Sequence, residues 1–112
     1  MTKLFLDAGT TTWTVPDDWN NASNSVECVG AGGNAGTAVA NVSSSAGGGG
    51  GAYSASTNLT LTPGASITVV IGAGGSGTDT NFNSGSIIAK AGTNAVTVTA
   101  GTGGTAAAST GT

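Results

Sequence analysis

Large apolar residues alternate with polar or small ones in short bursts along this chain, and nowhere do they recur every three or four positions. Period two without period 3.6 predicts strands and no helix. Lys3–Asp7 reads as a first strand with Leu4 and Leu6 on one face. Thr11–Val15 is a second, with Trp13 and Val15 alternating until Pro16 stops it. A turn over Asp17–Asn21 leads to a third strand, Ser25–Val29, in which Cys28 alternates with Val26 and is expected in the core. The clearest pattern runs from Tyr53 to Ile71. Tyr53, Ala55, Thr57, Leu59 and Leu61 alternate, then come Thr62-Pro63-Gly64-Ala65, then Ile67, Val69 and Ile71 alternate. Pro63 presets the first central turn angle and Gly64 supplies the positive φ of a type II turn. The two halves are therefore expected to close as a hairpin with these apolar positions facing inward. Ser86–Lys90 and Ala95–Thr99 read as a further pair joined through Gly92-Thr93-Asn94.

Glycine punctuates these strands at Gly30–Gly36, Gly47–Gly51, Gly72–Gly77 and Gly101–Gly104, and Gly-Ala-Gly-Gly follows a strand at both Gly30 and Gly72. The five consecutive glycines from Gly47 to Gly51 have two readings. One is a free linker. The other is an extended segment without side chains, packed on its neighbours through backbone and Cα–H contacts. The expectation is one all-β domain over 1–100, a small antiparallel sandwich-like core with partly extended glycine-rich loops. A Gly/Thr/Ala tail over 101–112 lacks any core-forming residue and is expected to be extended or disordered unless a partner covers it.

Composition narrows the chemistry. Of 112 residues, 21 are Gly, only seven are charged, and His is absent, for a net charge of −3. Without imidazole the usual acid–base group is missing. Two lysines cannot neutralise a phosphate backbone, so nucleic acid is not an expected partner. A single Cys forbids an internal disulfide. No apolar run approaches the length of a membrane span, and the opening residues lack the apolar core of a signal peptide. Bulky side chains are few, so support from identical subunits or a larger assembly is expected.

Several motifs carry less than they suggest. Gly72-x-Gly74-x-x-Gly77 has the spacing of a dinucleotide loop, but the residues after it form a poor helix and no acid stands about 20 positions on. Gly74-Gly75-x-Gly77-x-Asp79 approaches a calcium-binding nonapeptide, yet it is a lone copy with Asn81 where an apolar anchor belongs. Turn chemistry accounts better for Asp79, Asn81 and Asn83. Asn21, Asn41 and Asn58 head formal glycosylation triplets, discounted without a signal peptide. Asp17 and Asp18 are adjacent, so in an extended segment they point apart. No catalytic constellation, metal set or cofactor loop is left, and an enzyme is not expected.

The order of features is itself informative. Thr12-Trp13-Thr14-Val15-Pro16, a strand into a glycine loop over Val26–Gly36, then Gly47–Gly51-Ala52-Tyr53, then Leu59-Thr60-Leu61-Thr62-Pro63-Gly64, then Val70-Ile71-Gly72-Ala73-Gly74-Gly75, resembles the glycine-rich domain of bacteriophage tail and other virion proteins. The resemblance covers roughly residues 3–95. It implies a virion structural or receptor-contacting protein with a small β-core and no enzymatic activity. The loop after Val29 and the stretch Ile87–Thr99 are poorer in glycine than that pattern. The expected partners are other virion proteins and identical subunits. The other reading is a host-surface carbohydrate-binding adhesin module. On that reading Trp19, Gly47, Gly49 and Gly51 form the contact surface, although Trp13 and Trp19 are also natural core residues.

Overall fold

The computed structural model describes residues 3–38 and 45–105. Six strands are present among them: β1 (Thr12–Thr14), β2 (Ser25–Val29), β3 (Tyr53–Thr57), β4 (Ser66–Val70), β5 (Thr80–Phe82) and β6 (Ile87–Ala89). They form two antiparallel sheets, one of four strands in the order β1-β4-β5-β6 and one pairing β2 with β3. The fold is all-β. β2 packs on β5 and β6, and β3 on β6, so the small sheet lies over one end of the large one.

Alternation decides what enters the core. Ile67 and Val69 of β4, Phe82 of β5, and Ile87 and Ala89 of β6 are buried together with Val15 and Leu61. Cys28 meets them from β2, as its position in the pattern predicts. Trp13 and Trp19 are half-buried against this cluster, their rings edge to face with centroids 5.6 Å apart. Trp13 also leans on Phe82 at 5.7 Å.

The expected hairpin is not formed. The turn is present: Gly64 has φ +82° and Ala65 N–H donates to the Thr62 carbonyl at 3.0 Å. The chain leaving it pairs with β1 (Trp13 opposite Ile67), whereas β3 pairs with β2 (Glu27 opposite Ala55). β3 ends because Asn58 takes a left-handed conformation, φ 55°. Beyond it, asparagine side chains replace a strand partner. The Asn24 carboxamide takes the Leu59 N–H at 2.8 Å and donates to the Leu59 carbonyl at 3.0 Å, and Asn21 accepts from Leu61 N–H at 2.9 Å. β3 also shows the opposite face to the one expected: Ser54 and Ser56 are buried and Tyr53 is exposed. Where neither face of a strand is strongly apolar, hydrophobicity does not choose between them. Here the small serines let the two sheets approach, and the exposed Tyr53 hydroxyl lies 2.7 Å from the Glu27 carboxylate.

Two other expectations fail. Residues 3–7 form no strand, and Leu4 and Phe5 lie in solvent. β6 pairs not with residues 95–99 but with β5, a strand of only three residues whose sequence Thr-Asn-Phe reads as a loop. Residues 95–99 instead make a tight turn closed by a Val96–Thr99 bridge, with Thr97 at φ 46°. Asn41 and residues 106–112 of the expected tail lie outside the described residues.

Candidate functional site: a bundle of glycine segments

The most distinctive part of the molecule has no regular secondary structure. Residues 30–36, 46–52, 90–97 and 101–104 run side by side as extended segments joined by backbone hydrogen bonds. Those bonds recur at every third residue, except where the turn at 96–99 intrudes.

Gly30, Gly33 and Gly36 donate to the carbonyls of Ala52, Gly49 and Ala46 at 2.7–2.8 Å. Ala52, Gly49 and Ala46 in turn donate to Lys90, Thr93 and Thr97, and Gly92 and Ala95 donate back to Ala31 and Asn34. Gly101 and Gly104 close a fourth side on Gly47 and Gly50. Three residues per turn with no bond inside a segment is the repeat of polyproline II. Each segment therefore presents three faces, and the first three segments are each bonded to both of the others.

This arrangement decides between the two readings of the Gly47–Gly51 run: it is a packed segment, not a linker. Gly49 sits where four segments meet. Its N–H donates to Thr93, its carbonyl accepts from Gly33, and a methyl group in place of its hydrogen would overlap the Thr102 carbonyl. Gly50, one residue on, has nothing within 4 Å of the same position. The start of the tail, residues 101–104, is extended, and its cover comes from the chain's own residues 47–50. The two Gly-Ala-Gly-Gly copies also meet, Gly75 N–H donating to the Gly32 carbonyl at 2.9 Å. The chain passes from Gly77 into β5, so the sequence with dinucleotide-loop spacing opens no helix.

The molecule is elongated. The principal extents are 59 × 25 × 23 Å and the radius of gyration is 16.8 Å, against about 13 Å for a compact domain of this length. Side chains tie it to the β-core and to itself. The Asn94 carboxamide takes the Asn34 N–H at 2.7 Å and donates to the Gly75 carbonyl at 2.9 Å. Asp79, at the entrance to β5, accepts from Lys90 Nζ at 2.5 Å and from Ala91 N–H at 2.8 Å, where β6 runs into the bundle.

These two bonds hold the Asp79 carboxyl below its ordinary value of 3.8, the Lys90 ammonium contributing most. A carboxylate whose folded pKa is depressed stabilises the fold above its unfolded pKa, and that contribution fades as acid titrates through the lower folded value. Because the pair is partly exposed, Asp79→Asn should cost only about 0.2–1 kcal/mol at neutral pH. Thermal melts should show the gap between wild type and variant closing as the pH falls below 3.8. A gap that persists in acid would separate Asp79's role from its charge.

The residues expected at a contact surface fall in different places. Trp19 belongs to the β-core, half-buried against Trp13, with its Nε1–H donated to the Leu59 carbonyl at 3.2 Å. Gly49 is buried and offers no surface. Gly51 is exposed on one side only, its other side lying against the Gly30 carbonyl, and Gly47 is open. Pro63 and Gly64 form the turn assigned to them. Burial raises the Cys28 thiol above its ordinary value, which keeps it a neutral packing group. No three metal-ligating side chains come together among the described residues. The sequence signal that points to the bundle is the Gly-x-x-Gly-x-x-Gly spacing of Gly30, Gly33 and Gly36, repeated as Gly101-x-x-Gly104.

Comparison with known proteins agrees with this emphasis. The model of a family described as a glycine-rich domain matches residues 6–112. No curated protein and no solved structure matches the chain.

Proposed function

Because the chain belongs to the glycine-rich domain family, we propose that it is a non-enzymatic structural module of a bacteriophage particle, placed in a tail fibre, at the tail tip or on the capsid surface. The bundle carries this reading. A module that joins other subunits in a particle must hold its shape without a large core, and here extended segments do so by pairing backbone groups with one another. Its partners are then other virion proteins and further copies of itself. The ordered set of motifs from Thr12 to Gly75, similar to that of virion proteins, supports the same assignment. The glycan-binding reading is less favoured, because Trp19 spends its ring on Trp13 and its indole N–H on Leu59 rather than presenting a free platform.

The test is location. Antibody raised against the chain should decorate particles purified from the phage that encodes it, and peptide mass spectrometry should find a fixed copy number per particle. Confinement of the chain to the host lysate, with clean particles, would overturn the proposal.

A further inference from the structure

In a chain with few large apolar residues, two are left in solvent within one short segment: Leu4 is 63% exposed and Phe5 80%. The residue after them, Leu6, packs partly against the core. Residues 3–8 run along a groove of about 1530 Å³ whose walls include Trp13, Val26, Cys28, Val69 and Phe82. That volume exceeds the roughly 300–1,000 Å³ of small-molecule pockets and suits a length of peptide. The segment lies beside β2 without pairing to it. Thr10 N–H donates to the Asp7 carbonyl at 3.1 Å, and Gly9, at φ +98°, turns the chain into β1.

β2 has an edge to offer. Asn58 N–H bonds to the Asn24 carbonyl and Gly30 N–H to the Ala52 carbonyl, which fixes the even-numbered residues as those bonded to β3. Ser25, Glu27 and Val29 therefore aim their backbone groups away from β3. Among the described residues no strand pairs with that side. Such an edge is a template for strand addition. Charge favours the same occupant, since Asp18 and Glu27 line the groove outside the segment and the cation among the lining residues, Lys3, is carried on the unpaired segment itself.

We propose that residues 3–7 of one copy add as an antiparallel strand to β2 of a second copy, and reciprocally, with residues 8–10 as the hinge, since the Thr11 carbonyl is already bonded to Val69 N–H. The pairing sets Leu4 opposite Cys28 and Leu6 opposite Val26, on the face that turns toward the core. Phe5 then lies opposite Glu27, and Lys3 is diagonal to the same carboxylate, within cross-strand reach. Exchange of an identical element about a two-fold axis closes the assembly at two copies. The inference concerns the isolated chain and stands apart from the virion assignment.

Light scattering across a concentration series should find a dimer. Leu4→Asp combined with Phe5→Asp should raise its dissociation constant about tenfold or more. The melting of the single copy should be unchanged, because both residues are exposed there. In a Cys28→Ala background, Phe5→Cys protein mixed with Glu27→Cys protein should form a disulfide-linked heterodimer in preference to either homodimer, the selectivity that pairing between copies imposes. A chain that remains monomeric up to about 0.1 mM, or a dimer indifferent to the double substitution, overturns the proposal.

Discussion

Gly49→Ala should open the glycine bundle while Gly50→Ala leaves it intact. The added methyl at position 49 meets the Thr102 carbonyl, which belongs to a backbone bonded on both sides and cannot swing away as a side chain could. Overpacking costs typically 1–3 kcal/mol, and a clash with fixed backbone belongs at the top of that range, about 3 kcal/mol or more. At position 50 the methyl points into open space and the backbone is not left-handed. There the main effect is reduced freedom of the unfolded chain, worth up to about 0.4–1 kcal/mol in favour of folding. Hydrogen exchange gives the sharper readout. Gly49→Ala should expose the amides of Gly30, Gly33 and Gly36, and those within β4 should remain protected. Equal melting of the two variants would mean that the three-residue register is wrong.

Phe82→Ala should be the most damaging change in the β-core. Phe82 is 4% exposed and lies in the middle of the large sheet between Val69, opposite it on β4, and Ile87, opposite it on β6. Removing a buried phenyl ring costs about 3–5 kcal/mol, a large share of the roughly 5–15 kcal/mol that holds a domain together. The ring also touches Trp13, so urea unfolding followed by tryptophan emission should shift in both midpoint and native baseline. Val98→Ala, at a residue 62% exposed, should stay within about 0.5 kcal/mol of wild type. If the two variants unfold together, the assignment of the core is mistaken.

How far the sequence could be read depended on where side chains made the decision. Alternating Ser25–Val29 is a strand with the expected bounds, and Cys28 is in the core because its neighbour two positions away, Val26, is apolar and shares its face. The Pro63-Gly64 turn was legible because its backbone angles require those residues. Pairing was not. Ile67 and Val69 need an apolar partner face but nothing in their own pattern specifies β1 over β3, and the peeling of Leu59 and Leu61 onto Asn24 and Asn21 depends on contacts 35 and 40 residues apart. The bundle was hidden for a different reason. It is specified by where side chains are missing, at every third position, and a search for patterns of apolar residues passes over it. Gly30, Gly33 and Gly36 resemble loop glycines until their partners on residues 46–52 are known. Residues 3–7 show the reverse case, a good strand pattern that pairs with no strand in the same copy.

A rod joined through peptide groups has little for dissolved ions to act upon. Screening weakens attraction between charges, and among the described residues Asp79 with Lys90 is the ion pair present. Raising sodium chloride from about 0.01 M to 1 M shortens the reach of charge interactions from roughly 30 Å to 3 Å, yet it leaves amide-to-carbonyl rows untouched. Such a part keeps one shape in fresh water and in brine alike.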